Sequence, residues 1–208
     1  AKQGKSLVLT LDKTIQYYLE KGLSQAVEDN DATSAYGIVM EVETGAILAM
    51  ATMPDYDLNT PTIITDKEIL KELDEIKDED EYDLAYNNKI YSMWRNKAVS
   101  DTYEPGSVFK VFVAAAALEE GLVTPDYCFS CSGSVKVADN VLHCHKDGGH
   151  GSQTLAEGLM NSCNPFFVNI GQKLGSKNFY KYFEAFGFTG ETEVDLPGEA
   201  TPVKDVTY

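Results

Sequence analysis

The chain has 208 residues, of which 43% are hydrophobic and 24% are charged, so it has the composition of an ordinary globular protein and is long enough to bury a core. Its formal net charge of -16 argues against nucleic acid or an anionic membrane surface as a partner, because both require a basic surface. The sequence contains neither a signal peptide nor an apolar run near the length of a membrane span.

The first predicted elements are a strand, a helix and a hairpin. Leucine recurs at every second position of residues 6–11, and this alternation predicts a short strand. Asp12 is placed to cap a helix, and apolar residues then recur at every fourth position: Ile15, Leu19, Leu23 and Val27. Residues 36–42 and 46–52 are rich in β-forming residues, and Gly45 lies at the turn between them, so we predict a β-hairpin.

Residues 66–83 contain ten acidic residues and three lysines, so this segment is strongly charged. Ile69, Leu73 and Ile76 form a weak helical stripe, and we interpret the remainder as a solvated helix face or loop. The segment lacks the spaced carboxylates and glycine of a calcium loop, and no chemistry is assigned to it.

Ser107 and Lys110 are three residues apart, directly before the apolar residues 111–118. Residues with this spacing share one face of a helix, so the lysine amine can reach the serine hydroxyl. Burial lowers the pKa of a lysine and makes the neutral amine available as a base for a serine nucleophile. The segment therefore predicts an acyl-transfer site on the first turn of a buried helix, where backbone N–H groups face the developing oxyanion.

The alternative for Ser107 and Lys110 is purely structural, with the serine capping a helix and the lysine extending to solvent. Two features favour catalysis. Pro105 and Gly106 permit a sharp turn before the helix, and the residues after Lys110 are apolar on all sides, as in a central helix.

Residues 128–150 hold three of the four cysteines and all three histidines. Thiolates and imidazoles crowded into so short a segment are typical of a tetrahedral zinc site. We predict that Cys128, Cys131 and Cys144 bind zinc and that His145 is the fourth ligand, although neighbouring residues of an extended segment point in opposite directions.

Two alternatives to this ligand set remain open. His150 can be reached through the flexible Gly148 and Gly149, and a disulfide between Cys131 and Cys144 would replace the metal but leave Cys128 unpaired. Residues 135–137 between the cysteines are predicted to form a strand, followed by a turn. Cys163, outside this segment, is expected to be a small core residue rather than a ligand.

A second polar motif contains Ser162 and Asn164 and precedes a predicted helix. Pro165 suits the first helical position and Gly175 the C-terminal cap, so we predict a helix over residues 165–174. Taken alone, the local sequence leaves open whether Ser162 or Asn164 is only the N-cap of that helix.

Ser-x-x-Lys followed by Ser-x-Asn resembles the active site of penicillin-binding proteins and serine β-lactamases, in which Lys-Thr-Gly comes later. Further stretches are similar to class B penicillin-binding proteins, the monofunctional peptidoglycan transpeptidases: residues 9–12, 53–57, 95–99, 103–107 and 195–199. The surroundings of Cys131, Cys144 and His150 are most similar to the sporulation-type branch. The resemblance implies that Ser107 is the acylated nucleophile and Lys110 its general base, with Ser162 as a proton relay and Asn164 as a ligand of the substrate amide.

The third motif of that family is missing. No Lys-Thr-Gly, Lys-Ser-Gly or His-Thr-Gly follows Asn164 in this sequence. In the family this triplet borders the cleft and supplies the second oxyanion N–H, and loss of one such donor typically slows a reaction by about a hundred- to a thousand-fold. We therefore expect residues 1–208 to be the N-terminal portion of a single transpeptidase domain, with its C-terminal strands absent and with low activity on its own.

The resemblance implies an α+β fold with an antiparallel sheet flanked by helices, carrying a zinc-binding insertion at residues 128–150. It also implies a D,D-transpeptidase at the extracytoplasmic face of a bacterial membrane, held by an anchor and pedestal domain that this chain lacks. The implied partners are peptidoglycan stem peptides, β-lactam antibiotics and a glycosyltransferase of the cell-wall machinery. The alternatives are a D,D-carboxypeptidase or β-lactamase, and a β-lactam-sensing or scaffold module.

Overall fold

The computed structural model describes residues 4–201, which form two compact units. One contains residues 4–102 and 196–200, and the other contains residues 103–195 and residue 201. In the described residues the first unit combines helices with one two-stranded antiparallel sheet and the second combines helices with two, so the predicted α+β class is confirmed.

The first unit begins with a helix packed on a hairpin, as predicted. The elements are α1 (Lys13–Asn30), β1 (Ala35–Met40) and β2 (Ile47–Met53). The carboxylate of Asp12 accepts hydrogen bonds from the first backbone N–H groups of α1, which confirms its role as the N-cap. The hairpin is antiparallel, and a register shift lies between Val39 and Met40.

A small residue and an amide side chain fix α1 against the hairpin. A Cβ atom on Gly37 would lie 2.9 Å from Leu19 Cδ1, so the absence of a side chain there lets the α1 leucines pack directly on β1. The Gln16 side chain hydrogen-bonds both backbone groups of Met50, each at 2.9 Å, and so satisfies part of the open edge of β2.

The predicted strand at residues 6–11 is wrong, because this segment runs extended without a strand ladder. Its side chains are largely exposed, with Leu7 at 86% and Val8 at 98%, so alternation here did not indicate a buried face. Its last part is held to the hairpin by hydrogen bonds from the Thr10 hydroxyl to the Ile47 carbonyl and from the following Asp12 N–H to the Leu48 carbonyl, at 2.5 Å and 2.8 Å.

The acidic segment is helical and packs a small core of its own. The helices are α2 (Lys67–Asp74), α3 (Glu79–Trp94) and the short α4 (Lys97–Ser100). Leu73 from the predicted stripe is buried with Ile64 and Ile90, and the acidic side chains face solvent. This confirms the interpretation of the segment as a solvated helical face.

The second unit holds all the predicted site residues. It begins with a 3₁₀ turn and continues through α5 (Lys110–Glu119), β3 (Cys128–Cys131), β4 (Ser134–Val137), β5 (Asn140–His143), β6 (Gly151–Thr154), α6 (Leu155–Met160) and α7 (Asn164–Ala185). Strands β3 and β6 form one antiparallel pair, and β4 and β5 form another, so the strand predicted at residues 135–137 is confirmed.

The core of the second unit lies between α5, α6 and the first part of α7. Phe166 is fully buried at its centre, and a Cβ atom on Gly158 would lie 2.7 Å from its ring, so α6 passes directly over it. Helix α7 is broken at Gly175, which has φ of 73°, as the predicted helix end at this residue required.

Candidate active site

Ser107 and Lys110 lie at the start of α5, as their spacing predicted, but Ser107 belongs to the 3₁₀ turn Gly106–Phe109 that precedes it. Lys110 Nζ is 3.1 Å from Ser107 Oγ. Ser107 caps neither the 3₁₀ turn nor α5 with its side chain, so the purely structural alternative fails for this residue. The Ser107 side chain is exposed and accessible, whereas Lys110 is half-buried.

The side chains of the second motif, Ser162 and Asn164, both contact Lys110 Nζ. It donates to the Ser162 carbonyl oxygen at 2.7 Å and to Asn164 Oδ1 at 2.7 Å, and it lies 3.0 Å from Ser162 Oγ. The structure thus brings together all four residues predicted to be catalytic. We call Ser107, Lys110, Ser162 and Asn164 the catalytic group.

The four contacts of the amine match its neutral form. The two carbonyl-type oxygens, at 2.7 Å, can only accept, and they suffice to occupy the two N–H bonds of a neutral amine. The lone pair is then left for the hydroxyl groups of Ser107 and Ser162, either of which can donate to it. Burial lowers the pKa of Lys110, and negative charge on Cys163 or Cys144 acts in the opposite direction.

Ser162 is held in an unusual backbone conformation in the turn between α6 and α7. Its φ of 49° lies in the left-handed region, which costs a non-glycine residue about 1–2 kcal/mol. Two backbone hydrogen bonds brace this turn, from Ser162 N–H to the Leu159 carbonyl at 2.9 Å and from Cys163 N–H to the Gly158 carbonyl at 3.0 Å. This conformation directs both the carbonyl and the hydroxyl of Ser162 toward Lys110.

Neither Ser162 nor Asn164 is the N-cap of α7. The capping position belongs to Cys163, which makes no side-chain capping bond, and Asn164 is the first residue of the helix. The Asn164 amide instead accepts from Lys110 and donates to the His143 carbonyl at 3.3 Å. The capping alternative left open by the sequence is therefore excluded for both residues.

A second cluster of reactive side chains lies immediately beside the catalytic group. The potential ligand atoms of Cys131, Cys144, His150 and Cys163 all lie within 4.8 Å of one another, and Cys144 Sγ is 3.2 Å from His150 Nδ1. All four cysteines of the chain lie in the described part and are free thiols. We call Cys131, Cys144, Cys163 and His150 the thiol group.

The thiol group shares only Cys131 and Cys144 with the predicted zinc ligands. Cys128 is exposed, and its Sγ faces the Asp126 carbonyl at 3.4 Å. The reason is strand geometry: Cys128 and Cys131 are three positions apart on β3, and residues an odd number of positions apart point to opposite faces. The Cys-x-x-Cys spacing would bring both thiols together on a turn, but on a strand it separates them.

His145 follows Cys144 directly, in the bend after β5, and lies outside the group. His145 is exposed, and its ring lies 5.1 Å from that of His150, measured between centroids. His150 takes the place predicted for His145, because Gly149 has φ of 81° and a Cβ on it would lie 2.2 Å from the Cys131 carbonyl oxygen. Only glycine lets this loop approach β3 so closely.

Cys163 is the member that the sequence interpretation missed. It is fully buried, as expected of a core residue, but its sulfur belongs to the thiol group. Burial raises the pKa of Cys163 to about 11. For Cys131, burial also disfavours the thiolate, but hydrogen bonds from the His150 and Gly133 backbone and from the thiols of Cys163 and Cys144 together outweigh it, and the net pKa is lowered.

The imidazole of the thiol group is suited to bind a metal. The pKa of His150 is lowered by burial, and by the charges of Lys146 and His145, so the neutral form that ligates metals is favoured. Three thiols and a neutral imidazole form one of the standard donor sets of structural zinc, in which sulfur atoms are about 3.8 Å apart around Zn–S bonds of about 2.3 Å. The observed cluster requires only a small contraction to reach that geometry.

Comparison with known proteins points to one family. Residues 35–206 match the family described as the penicillin binding protein transpeptidase domain. The chain is 36% identical over 203 residues to stage V sporulation protein D of Bacillus subtilis, covering 97% of this chain and 28% of that protein. It is 30% identical to penicillin-binding protein PbpB of Mycobacterium tuberculosis, covering 96% of this chain and 26% of the relative.

Solved structures show the same fold. Pseudomonas aeruginosa PBP2, in complex with WCK 5153, superposes with a TM-score of 0.70 at 26% identity, over 95% of this chain and 41% of that one. The TP domain of Burkholderia pseudomallei penicillin-binding protein 3 gives a TM-score of 0.69 at 22% identity, over 92% of this chain and 46% of that one. Within residues 4–201, no helix has the length and apolar character needed to cross a bilayer.

Proposed function

Because the chain belongs to the penicillin binding protein transpeptidase domain family, we propose that the full-length protein is a peptidoglycan D,D-transpeptidase that works through an acyl-enzyme on Ser107. The chain spans about a quarter of the length of the curated relatives it matches. The observation that carries the proposal is the convergence of Ser107, Ser162 and Asn164 on the amine of Lys110.

In the first half-reaction, Lys110 Nζ accepts the hydroxyl proton of Ser107 while Oγ attacks the carbonyl carbon between the two D-alanines of a stem peptide. The tetrahedral intermediate collapses when the C–N bond breaks, and the leaving amine of D-alanine takes up a proton. Ser162 Oγ, 3.0 Å from Lys110 Nζ, is placed to relay that proton from the lysine. The products are free D-alanine and an ester on Ser107.

In the second half-reaction, the amine of another stem peptide attacks the ester carbonyl. The amine loses a proton, the bond from carbon to Ser107 Oγ breaks, and the proton returns through the same groups to the serine. The cross-link is then an amide bond, and the catalytic group is restored. Asn164 holds Lys110 through its Oδ1 atom and presents its amide at the edge of this site, where it can bind the substrate amide.

A β-lactam reacts with the same nucleophile, because its strained amide takes the place of the D-alanyl-D-alanine bond. The 208-residue chain contains no Lys-Thr-Gly, Lys-Ser-Gly or His-Thr-Gly after Asn164. We expect this chain on its own to be acylated more slowly than the full-length protein, because one oxyanion donor typically contributes about a hundred- to a thousand-fold.

We further propose that the thiol group binds one structural zinc ion. The four ligand atoms would fill a tetrahedral coordination sphere and leave no open position for a catalytic water. Cys163 lies between Ser162 and Asn164 in the sequence, so a metal at this position would immobilise the turn that carries half of the catalytic group. The metal has no part in the acyl-transfer steps.

The proposed reaction implies a location and partners. Stem peptides lie outside the cytoplasmic membrane, so the full-length protein would act at the extracytoplasmic face, in the sporulation branch suggested by its similarity to stage V sporulation protein D. New glycan strands are made by a glycosyltransferase, and a transpeptidase that cross-links them would work beside such an enzyme.

Labelled penicillin tests the proposal. The full-length protein should gain the mass of one penicillin by intact mass spectrometry, Ser107→Ala should gain none, and the exposed Ser176→Ala should behave as the unsubstituted protein. Rapid release of the label would favour a carboxypeptidase or β-lactamase instead. Complete failure to react would favour the sensing or scaffold module.

A further inference from the structure

Gln153 is the one buried polar side chain in the described part of the protein, with 3% of its surface exposed. It lies on β6, opposite Phe129 of β3, and its side chain enters the core of the second unit. An amide in such a position has to satisfy both an acceptor and two donors, and a buried amide that leaves some of them unmatched destabilises a fold. We therefore expect this buried amide to have a role other than packing.

The two ends of the Gln153 amide face the two residues that flank Ser162. Gln153 Oε1 accepts a hydrogen bond from Asn161 Nδ2 at 2.9 Å. Gln153 Nε2 is buried without a hydrogen-bond partner among residues 4–201, and it lies beside the buried Cys163.

The backbone of Ser162 has to be held in place by neighbouring groups. Its left-handed φ is unfavourable for a serine, and α6 ends at Asn161 just before it. Gln153 is hydrogen-bonded from a separate strand to Asn161, the residue directly before Ser162, and this bond restrains the direction in which the Ser162 carbonyl and hydroxyl point. Those two oxygens are contacts of Lys110 Nζ, at 2.7 Å and 3.0 Å.

We propose that Gln153 is a positioning residue for acylation, which holds the turn at Asn161–Cys163 so that both oxygens of Ser162 face the amine of Lys110. The inference rests on the proposed function. Gln153 touches neither the nucleophile nor the base, so it acts through Ser162 alone. Its loss should therefore reduce the rate of the chemical step and leave the initial binding of a β-lactam nearly unchanged.

The test is the acylation of the full-length protein by labelled penicillin at a series of concentrations, which separates the maximal acylation rate from the binding constant. Gln153→Met keeps the length and unbranched shape of the side chain but removes both polar ends. We expect its maximal rate to fall by about ten- to a hundred-fold, because small displacements of a reacting group have effects of this size. The binding constant should change by less than about threefold.

Two further variants separate positioning from folding. Gln172→Met makes the same change at an exposed position of α7 and should alter neither rate nor melting temperature. Asn161→Ala removes the same hydrogen bond from its half-buried partner, so it remains informative if Gln153→Met does not fold. The rate losses of the two single variants should not multiply in the double variant, because both break one interaction.

Full acylation rates in Gln153→Met and Asn161→Ala would overturn the inference while leaving the proposed function intact. A weakened binding constant with an unchanged maximal rate would overturn it equally, since that outcome indicates a loss of general site structure. If the unsubstituted protein is not acylated at all, the proposed function fails, and the inference fails with it.

Discussion

The catalytic group and the thiol group meet at the same turn, residues 161–164, but they are assembled from different kinds of structure. The catalytic group comes from the 3₁₀ turn and first residue of α5 and from the turn and first residue of α7, and it converges on the side-chain nitrogen of the half-buried Lys110. The thiol group comes from the end of a strand, a loop after another strand and the turn itself, and its three sulfur atoms belong to buried residues. The comparison shows that spacing along a helix is enough to predict which side chains meet. On strands and in loops the same prediction also requires knowing which face each residue points to and where glycine lets the chain turn.

Replacement of Lys110 by Met tests the catalytic group and should have the largest effect. The variant removes the only amine among the four residues, and loss of a general base typically costs about a hundred- to ten-thousand-fold. We expect acylation of the full-length protein by labelled penicillin to slow on the order of a thousand-fold, measured by intact mass against time.

The exposed Lys177→Met is the matched control and should react at the normal rate. Near-normal acylation of Lys110→Met in a folded protein would show that the convergence on Nζ is structural rather than catalytic.

Zinc content distinguishes the thiol group of the structure from the ligands predicted by the sequence. We expect about one zinc per chain in the purified protein and none in Cys144→Ser, measured by elemental analysis. A ligand that binds only the folded state at a thousand times its dissociation constant contributes about 4 kcal/mol. The melting temperature of Cys144→Ser should therefore fall by roughly 10 °C.

Cys128→Ser is the control, because this thiol is exposed and outside the thiol group. It should keep its zinc and its melting temperature. Loss of zinc from Cys128→Ser would instead support the ligand set predicted from the Cys-x-x-Cys spacing, and absence of zinc from every protein would refute the metal proposal.

The four residues predicted to be catalytic lie together in the structure, whereas only two of the four predicted zinc ligands belong to the thiol group. This difference has a physical explanation. Ser107 and Lys110 were found because i and i+3 neighbours on helical backbone meet whatever the rest of the fold does. The pairing of Ser162 and Asn164 with them could not be derived from spacing, since it depends on how α7 packs on α5, and it came from family resemblance alone.

Only two of the four members of the thiol group were predicted as ligands, because tertiary structure decides which of these side chains meet. Cys-x-x-Cys has opposite consequences on a turn and on a strand, and the short strand β3 was not predicted. Cys163 carries no local indication of a ligand, since a buried cysteine is ordinary core. The strand wrongly predicted at residues 6–11 failed for a related reason, because alternation indicates a strand only when one face is covered.

Gly149→Ala tests whether the loop that brings His150 to the thiol group needs glycine. The new Cβ would lie 2.2 Å from the Cys131 carbonyl oxygen, and the left-handed φ adds its own cost, so the backbone must move. We expect unfolding in denaturant to show a loss of about 3 kcal/mol together with reduced zinc content.

Gly148→Ala provides the matched control, since it also has a left-handed φ of 72° but its Cβ would meet nothing within 4 Å. It should lose only about 1 kcal/mol, from backbone conformation alone. Equal losses in the two variants would mean that the close approach of this loop to Cys131 is unimportant.

The pH dependence of acylation is the finest probe, because it reports on both groups through one amine. Burial lowers the pKa of Lys110 below its ordinary value of 10.5, and ionised Cys163 and Cys144 oppose that shift. In the proposed mechanism the neutral amine is the active form, so the acylation rate should rise with pH, by about tenfold per unit below the pKa, and level off at a pH below 10.5. The rising limb should be absent from the residual reaction of Lys110→Met.

A rate that falls with increasing pH, or that is half-maximal at 10.5 or above, would contradict a neutral Lys110 as the base.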